Sequence, residues 1–372
     1  MIELHEKYGD VVRIGPDHIA VDGSVGWPQV CGYRSKGEEF GKMPGTHPGD
    51  MESILVAPRE SHRRQRRQLS HAFSDASLTE KEPTINKYIG MLLDNLGSRA
   101  DKGEAVNVVD WFNFALFDIV GELTFSESFH SLENNGYHPW VGAIFEGIRG
   151  LALLQLFKDY WVLGYIIDAL NLGMTSKKAI EVRGYTEEKT KTRLDYETAT
   201  DKPESMSRDF ISYMLRSPTD GSPGMKTSEI YASCPTLVVA GSETTATALS
   251  GMCFYVSQNK PVYDALAEEV RSAFSSESEI TLRSAAALEY LQAVVSETFR
   301  IFPPAAENPV RVSPGAVIND IYVPKGVSNL RDLIDRLHVA NRDRLVFQST
   351  SGQPSAVLGI SLTQIHSSQS AG

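Results

Sequence analysis

Cysteine is scarce in this chain. Its 372 residues hold three, Cys31, Cys234 and Cys253, with no paired or metal-ligand spacing among them. That excludes a disulfide framework and a zinc site, and it suits a reducing compartment. Basic excess is also lacking. A net charge of −11 argues against a general nucleic-acid binder. No uncharged run is long enough to span a membrane. The best candidate, "LALLQLFKDYWVLGYIIDALNLGM" at 151–174, is broken by Lys158, Asp159 and Asp168, so an amphipathic core helix is expected there instead. The opening "MIELHEKYGDVVRIG" is charged from residue 3 onward and does not read as a signal peptide. The chain as written is therefore expected in the cytoplasm. Aromatic residues stop at Phe347, and "FQSTSGQPSAVLGISLTQIHSSQSAG" is rich in Ser and Gln, a composition that predicts poor order.

What is present is ordinary globular sequence, 41% hydrophobic and long enough for a large core in one or two domains. "VVRIGPDHIAVDG" alternates and turns, so it predicts a hairpin within a start made of short strands. From about Pro58 the apolar spacing becomes helical. "SHRRQRRQLSHAFS", "TINKYIGMLLDNLGSRA" and the strongly apolar "NVVDWFNFALFDIVGELTF" all predict helices. Polar stretches at 196–209 and 217–224 predict loops. A long helix is predicted from about Ser228 to Gln258, with Pro235 starting or kinking it. "KPVYDALAEEVRSAFSS" and "ALEYLQAVVSETFRIFPP" predict two more helices, the second stopped by Pro303 and Pro304. Short strands follow in "AVINDIYVPKGV". The expected class is mainly α with small β-sheets.

Three stretches carry candidate chemistry. In "SETFR", Glu297 and Arg300 share a helix face. Either they are a solvated pair worth little, or, with Ala293, Val294 and Ile301 beside them, a hydrogen-bonded pair that fixes local backbone. "HRRQRR" at 62–67 is a solvated basic face, a nucleic-acid patch or an anion site. His62 and Arg66, four residues apart, reach one carboxylate or phosphate in the last case. The third stretch, "LVVAGSETTATAL" at 237–249, is the oddest. Gly241 and the β-branched Thr244 and Thr245 weaken a helix, and Glu243 resists burial without a partner. Threonine hydroxyls bonded back to carbonyls four residues earlier would explain the threonines, but not the acid. The functional reading is a deliberate distortion of the helix. Small residues make room for a ligand against the backbone, a threonine completes the freed bonds, and a carboxylate relays protons.

The order "AGSETT", "ETFR", "FPP", "NPVRV" strongly resembles the cytochrome P-450 superfamily of haem-thiolate monooxygenases. "LHEKYGDVVRIGPDHIAV", "SHRRQRRQLSHAFSDASL", "WFNFALFDIVGELTF" and "YHPWVGAIFEGI" resemble segments of its fungal secondary-metabolism members, the group with isotrichodermin 15-oxygenases and aflatoxin-pathway oxygenases. The resemblance covers residues 1–327 and sets apart 328–372 as a divergent tail.

The resemblance implies a cytochrome P-450-type fold, truncated at both ends, that inserts one oxygen atom of O2 into a hydrophobic terpenoid or polyketide. It implies haem as cofactor and an NADPH-dependent flavoprotein reductase as partner. Ala240 and Gly241 then line an oxygen groove, and Glu243 and Thr244 are the acid–alcohol pair that delivers protons. His62, Arg66 and Arg311 then contact haem propionates, and Glu297 with Arg300 is the structural pair. The family's axial cysteine lies in a glycine-bearing loop near the C-terminus, where its thiolate favours O–O cleavage. No cysteine follows Cys253 here, so no metal ligand is assigned. The membrane anchor usual for family members, which sit at the endoplasmic reticulum, is not recognised either. An inactive remnant or a mis-predicted gene product without thiolate-bound haem is the competing expectation.

Overall fold

In the computed structural model, which describes residues 2–32, 38–42, 52–143, 174–197, 209–216, 221, 223–305 and 310–332, the chain divides into two units. One comprises Met1–Met43 and Ala293–Gly372, the other Pro44–Gln292.

The first unit opens with helix α1 (Ile2–Tyr8), where only strands and turns are expected from sequence. The segment has no apolar stripe to announce a helix. Leu4 and Tyr8 are exposed, while His5 is buried and its Nδ1 lies 2.8 Å from the Gly9 carbonyl oxygen. Gly9, at φ 90°, turns the chain into the predicted hairpin of β1 (Val11–Arg13) and β2 (His18–Asp22). Asp22 then caps the short α2 (Gly23–Gly26), accepting the Ser24 N–H at 2.8 Å. Four more strands with assigned partners follow: β3 (Gly41–Lys42), β4 (Arg311–Val312), β5 (Ala316–Ile318) and β6 (Ile321–Val323). A last strand, β7, is Ser328–Asp332. The five-stranded sheet has the order β1-β2-β7-β4-β3. Strand β7 runs parallel to β2, with Ala20 opposite Leu330. The first five residues of the segment set apart as a tail are thus sheet; residues 333–372 lie outside the described residues. Strands β5 and β6 form the expected hairpin through Asn319 and Asp320, both at positive φ, the geometry a tight two-residue turn demands. Ile19, Val21, Val30, Phe40, Ile318 and Val323 close this unit's core.

The second unit is helical among its described residues. It comprises α3 (Arg59–Ser70), α4 (Asp75–Asp101), α5 (Val108–Phe125), α6 (Ser131–Asn134), α7 (Met174–Glu197), α8 (Phe210–Leu215), α9 (Thr227–Gln258), α10 (Lys260–Ala273) and α11 (Leu282–Ala286). Helix α12 (Glu289–Ile301) begins in this unit and ends in the first. Of the expected core helix at 151–174, only Met174 lies among the described residues, where it starts α7. The expected loop at 196–209 gives up Tyr196 and Glu197 to α7; most of that loop and of 217–224 lies outside the described residues.

Helix α5 is apolar nearly all round, as its sequence predicts, and it is buried nearly all round. Trp111, Phe114, Phe117, Ile119, Val120 and Phe125 are all below a tenth exposed, each contributing roughly 1.5–3 kcal/mol by the usual area scale. Asn107 caps its start, accepting the Val109 N–H at 3.2 Å. Ser126, in the left-handed region, ends it. Helix α9 packs along α5 and contributes Ile230, Cys234 and Val238 to the shared core. Helix α4 packs on another face of α5 through Tyr88 and Leu92.

Pro235 neither starts α9 nor ends it. The helix begins at Thr227 and runs through the proline to Gln258. A mid-helix proline costs about 3 kcal/mol, and the burial of Ile230, Cys234 and Val238 around it offsets that cost.

Candidate functional site

The site is built from helix α9, which carries "AGSETT" at its middle, and from helix α3, which leans on its first turn. Arg64 of α3 grips Glu229 with two hydrogen bonds. Nη1 donates to Oε2 at 2.7 Å, and Nη2 to Oε1. Nη1 also donates to the Gly224 carbonyl at 2.7 Å. Burial alone would raise the Glu229 carboxyl. Hydrogen bonds from Arg64, the Lys226 N–H and Gln65 outweigh it and hold the group below its ordinary value. Ser53 and Thr236 bridge hydroxyl to hydroxyl at 2.9 Å, a second tie between the segment before α3 and α9.

His62 and Arg66, the expected anion ligands on α3, have different settings. His62 is half-buried and Arg66 is exposed. The basic stretch is dominated structurally by Arg64, which sequence reasoning passed over. Its signal is faint: one arginine among four, distinguished only by pointing at Glu229, 165 positions away.

In the middle of α9 the expected distortion is absent. The helix is regular from Thr227 to Gln258. Thr244 Oγ1 donates to the Ala240 carbonyl at 2.6 Å, and Thr245 Oγ1 to the Gly241 carbonyl at 2.9 Å. Ser242 bonds back in the same way to Val238 at 2.6 Å. These hydroxyls share carbonyls already bonded in the helix, so they are satisfied without leaving it. Gly241 admits α5: a Cβ built on it would stand 3.2 Å from Val120 Cγ2. Its smallness therefore serves a close helix–helix approach. Ala240, one residue earlier, is exposed.

Glu243 is the residue that back-bonding does not explain. Its Oε2 is buried and has no hydrogen-bond partner. Burial pushes its carboxyl above the ordinary glutamate value, so the proton is held more tightly than on a surface acid. Next to it in sequence stands the Thr244 hydroxyl. A carboxyl whose proton affinity is raised is a group that can hold and pass a proton.

The first unit holds the other expected residues. Arg311 on β4 lies directly opposite Lys42 on β3. Directly opposed residues of an antiparallel pair share a face, and like charges there repel. Burial, and then Arg311, bring the Lys42 amine down to about 8. On α12, Arg300 Nε and Nη2 donate to Glu297 Oε2 and Oε1, both at 2.6 Å. That pair is half-buried, its side chains 20% and 21% exposed.

A family model closes the argument. The cytochrome P450 model matches residues 1–330. The chain belongs to the cytochrome P450 family. A cytochrome P450 monooxygenase of Aspergillus oryzae, astJ, is 39% identical over 334 residues, covering 88% of this chain and 65% of the relative. The trichothecene C-15 hydroxylase of Fusarium sporotrichioides is 36% identical over 308 residues, covering 82% and 61%. The versicolorin B desaturase stcL of Emericella nidulans is 34% identical over 358 residues, covering 93% and 70%. The likeness to fungal secondary-metabolism members read from the sequence is matched by these relatives. The chain spans about two thirds of their length.

Cytochrome P450 proteins imply haem. The cation pair Lys42 and Arg311 suits the group's carboxylates, because an anion on their shared face relieves the repulsion between them. The iron is another matter. Cys234 is fully buried and its thiol is pushed up to about 12, so it is not a thiolate. Cys253 is exposed on α9, and Cys31 belongs to the first unit. Lys42 and Arg311 have the chemistry that would hold the cofactor's carboxylates, whereas Cys234, enclosed as a thiol, does not have the chemistry that would hold its metal.

Proposed function

We propose that the chain is the body of a haem-dependent monooxygenase that inserts one oxygen atom of O2 into a hydrophobic secondary metabolite of terpenoid or polyketide type. The observation that carries this reading is Glu243, half-buried with its Oε2 enclosed and unpartnered and its carboxyl raised by burial, next to Thr244 in sequence in the middle of the long helix. The family match and the fungal relatives support it. Haem, when bound, supplies the redox chemistry at oxygen. The chain's own residues do the rest. Glu243, its carboxyl raised by burial, holds and releases a proton in the middle of α9. The Thr244 hydroxyl, anchored on the Ala240 carbonyl, is fixed at one point of the helix surface. In the first unit, Lys42 and Arg311 neutralise carboxylates on their shared face; in the second, His62 and Arg66 are anion ligands by resemblance. Ala240 leaves the helix surface bare enough for a small ligand to approach. Electrons come from an NADPH-dependent flavoprotein reductase. No helix among the described residues is long and apolar enough to cross a membrane.

A second reading has its own observation. With Cys234 enclosed and held as a thiol, this chain is a haem-free scaffold without turnover. The reduced, carbon-monoxide-bound absorption spectrum of the chain expressed with haem supply separates the two. A thiolate-type red-shifted Soret band supports the monooxygenase. A histidine-type band, or no haem, supports the scaffold.

A further inference from the structure

The segment after α6 uses an imidazole as a helix cap. His138 heads the helical turn at 139–143. Its carbonyl oxygen accepts the Val141 N–H at 2.9 Å and the Gly142 N–H at 3.2 Å. Its ring Nδ1 accepts the Trp140 N–H at 3.2 Å, the bond that a capping side chain makes. Serine, threonine, asparagine and aspartate usually fill this role, and none of them gains a proton near neutrality.

The cap fixes the tautomer. With Nδ1 accepting, the ring proton sits on Nε2, which lies 3.4 Å from the Tyr185 hydroxyl oxygen on α7. The two rings are 5.0 Å apart, centre to centre. Phe129 lies 5.9 Å from the His138 ring and stacks on Trp140 at 5.0 Å. Trp140, 4% exposed, closes the group against Tyr185 at 5.3 Å. One imidazole thus joins the turn and α7 through its two nitrogens. Protonation spares one contact and removes the other. In the imidazolium both nitrogens donate, so an Nδ1–H would face the Trp140 N–H and the cap bond is lost. A cation at the start of a helical turn also opposes the backbone dipoles there.

The charges around His138 come from three elements. Lys189 projects from α7, Glu127 and His130 from the connection between α5 and α6, and Asp118 from α5. Burial lowers the imidazole most, then Lys189, with His130 adding to both; Glu127 and Asp118 oppose them. Both acids are already engaged. Glu127 pairs with Lys189, and Asp118 accepts the Ser131 and Leu132 amides. The balance holds His138 below its ordinary value.

We propose that His138 is an acid-sensitive latch, fastening α7 to the turn at 139–143 when neutral and releasing it when protonated. Because the folded value is lowered, the opened chain takes up the proton more readily. The latch is therefore fully closed above the unfolded value of about 6.5 and is lost as pH falls through the folded value. Carboxylates titrate lower, at about 4, so the Lys189–Glu127 and Arg193–Asp209 pairs do not open with it. The latch stands on this packing alone and is independent of haem.

Hydrogen exchange of the full chain tests it, read by mass spectrometry over residues 184–197 and corrected for the pH dependence of intrinsic exchange. From about pH 7 to about pH 5, the range in which histidine titrates, wild-type exchange is expected to rise about fivefold. That corresponds to about 1 kcal/mol, one net hydrogen bond. H138N keeps a capping carbonyl and cannot titrate, so its corrected exchange should stay level. An equal rise in both proteins, or no rise in the wild type, overturns the latch. Should H138N fold poorly, the wild type decides by itself. With isotope-labelled tryptophan, the Trp140 amide signal should shift with a midpoint below about 6.5. An amide that ignores pH, or moves with a midpoint above that value, overturns the latch as well.

Discussion

Arg64 holds Glu229 through both carboxylate oxygens, and the two residues lie 165 positions apart in the chain. The Glu229 side chain is 4% exposed and that of Arg64 is 17% exposed. Removing one partner of such a pair leaves an uncompensated charge, which costs about 3–5 kcal/mol when fully buried. R64A is expected at the lower end of that range in urea unfolding, because Arg64 keeps some contact with water. A change below about 0.5 kcal/mol, the level of an exposed pair, would contradict the clamp.

The same pair sets a pH dependence. Glu229 has its folded pKa lowered, so its contribution is fully present above the unfolded value of about 4.3. The contribution is lost as pH falls through the depressed folded value. Acid unfolding of the wild type should therefore be steeper below pH ~4 than that of E229Q. Parallel curves would count against the assignment.

Lys81 gives a slope of the opposite side of neutrality. Its amine donates to the Ala72 carbonyl at 2.6 Å and to Ser77 Oγ at 2.9 Å. It also lies 4.6 Å and 4.9 Å from the ring centres of Phe210 and Tyr213. Burial brings it down to about 8. The unfolded chain binds more protons between that value and about 10.4, so wild-type stability should rise with pH across this window. K81M lacks the group. The difference between wild type and K81M should therefore grow in favour of wild type from pH 8 to pH 10. A flat difference in thermal melts across that window would exclude a lowered amine.

Gly241 tests the reading of the helix contact. Alanine gains about 1 kcal/mol of helix propensity, but its Cβ meets Val120 at 3.2 Å, and overpacking typically costs about 1–3 kcal/mol. G241A is expected to destabilise slightly, and to become stabilising when V120A makes room. Additive effects in that double-mutant cycle would mean the two side chains do not meet.

Thr244 separates stability from function. Its hydroxyl only shares a carbonyl that the helix already uses. T244A should leave stability unchanged or raise it by about 0.5 kcal/mol through helix propensity. Under the proposed function the same variant consumes NADPH without forming product in proportion. Full coupling in a haem-loaded T244A would remove Thr244 from the chemistry.

The long helices were legible because their apolar spacing is regular and their burial one-sided or complete. Helix α5 is the clearest case: a sequence that is apolar all round predicts burial all round. Helix α1 was illegible for the converse reason, since Leu4 and Tyr8 stay exposed. Pro235 does not start the helix, because the packing of Ile230, Cys234 and Val238 around it overrides local propensity. At the site, the identity of Glu243 as an anomaly was visible in sequence, since nothing local satisfies a carboxylate in an apolar run. Its neighbourhood was not. Gly241, two residues before it, meets Val120 of α5 more than a hundred positions away, and no spacing rule connects them. The regular geometry of "AGSETT" was likewise hidden, because back-bonded hydroxyls and a distorted turn ask for the same residues.

Asp118 has a consequence for the order in which the chain assembles. It accepts the amides of Ser131 and Leu132, each at 2.9 Å, thirteen and fourteen residues along. Closing so short a loop is cheap, and contacts of low sequence separation form early on average. The Arg64–Glu229 clamp must wait for a loop more than ten times longer. The α5–α6 corner is therefore expected to form before the grip of α3 on α9. Weakening the corner slows folding, whereas weakening the clamp leaves folding nearly untouched and lets the finished molecule open faster.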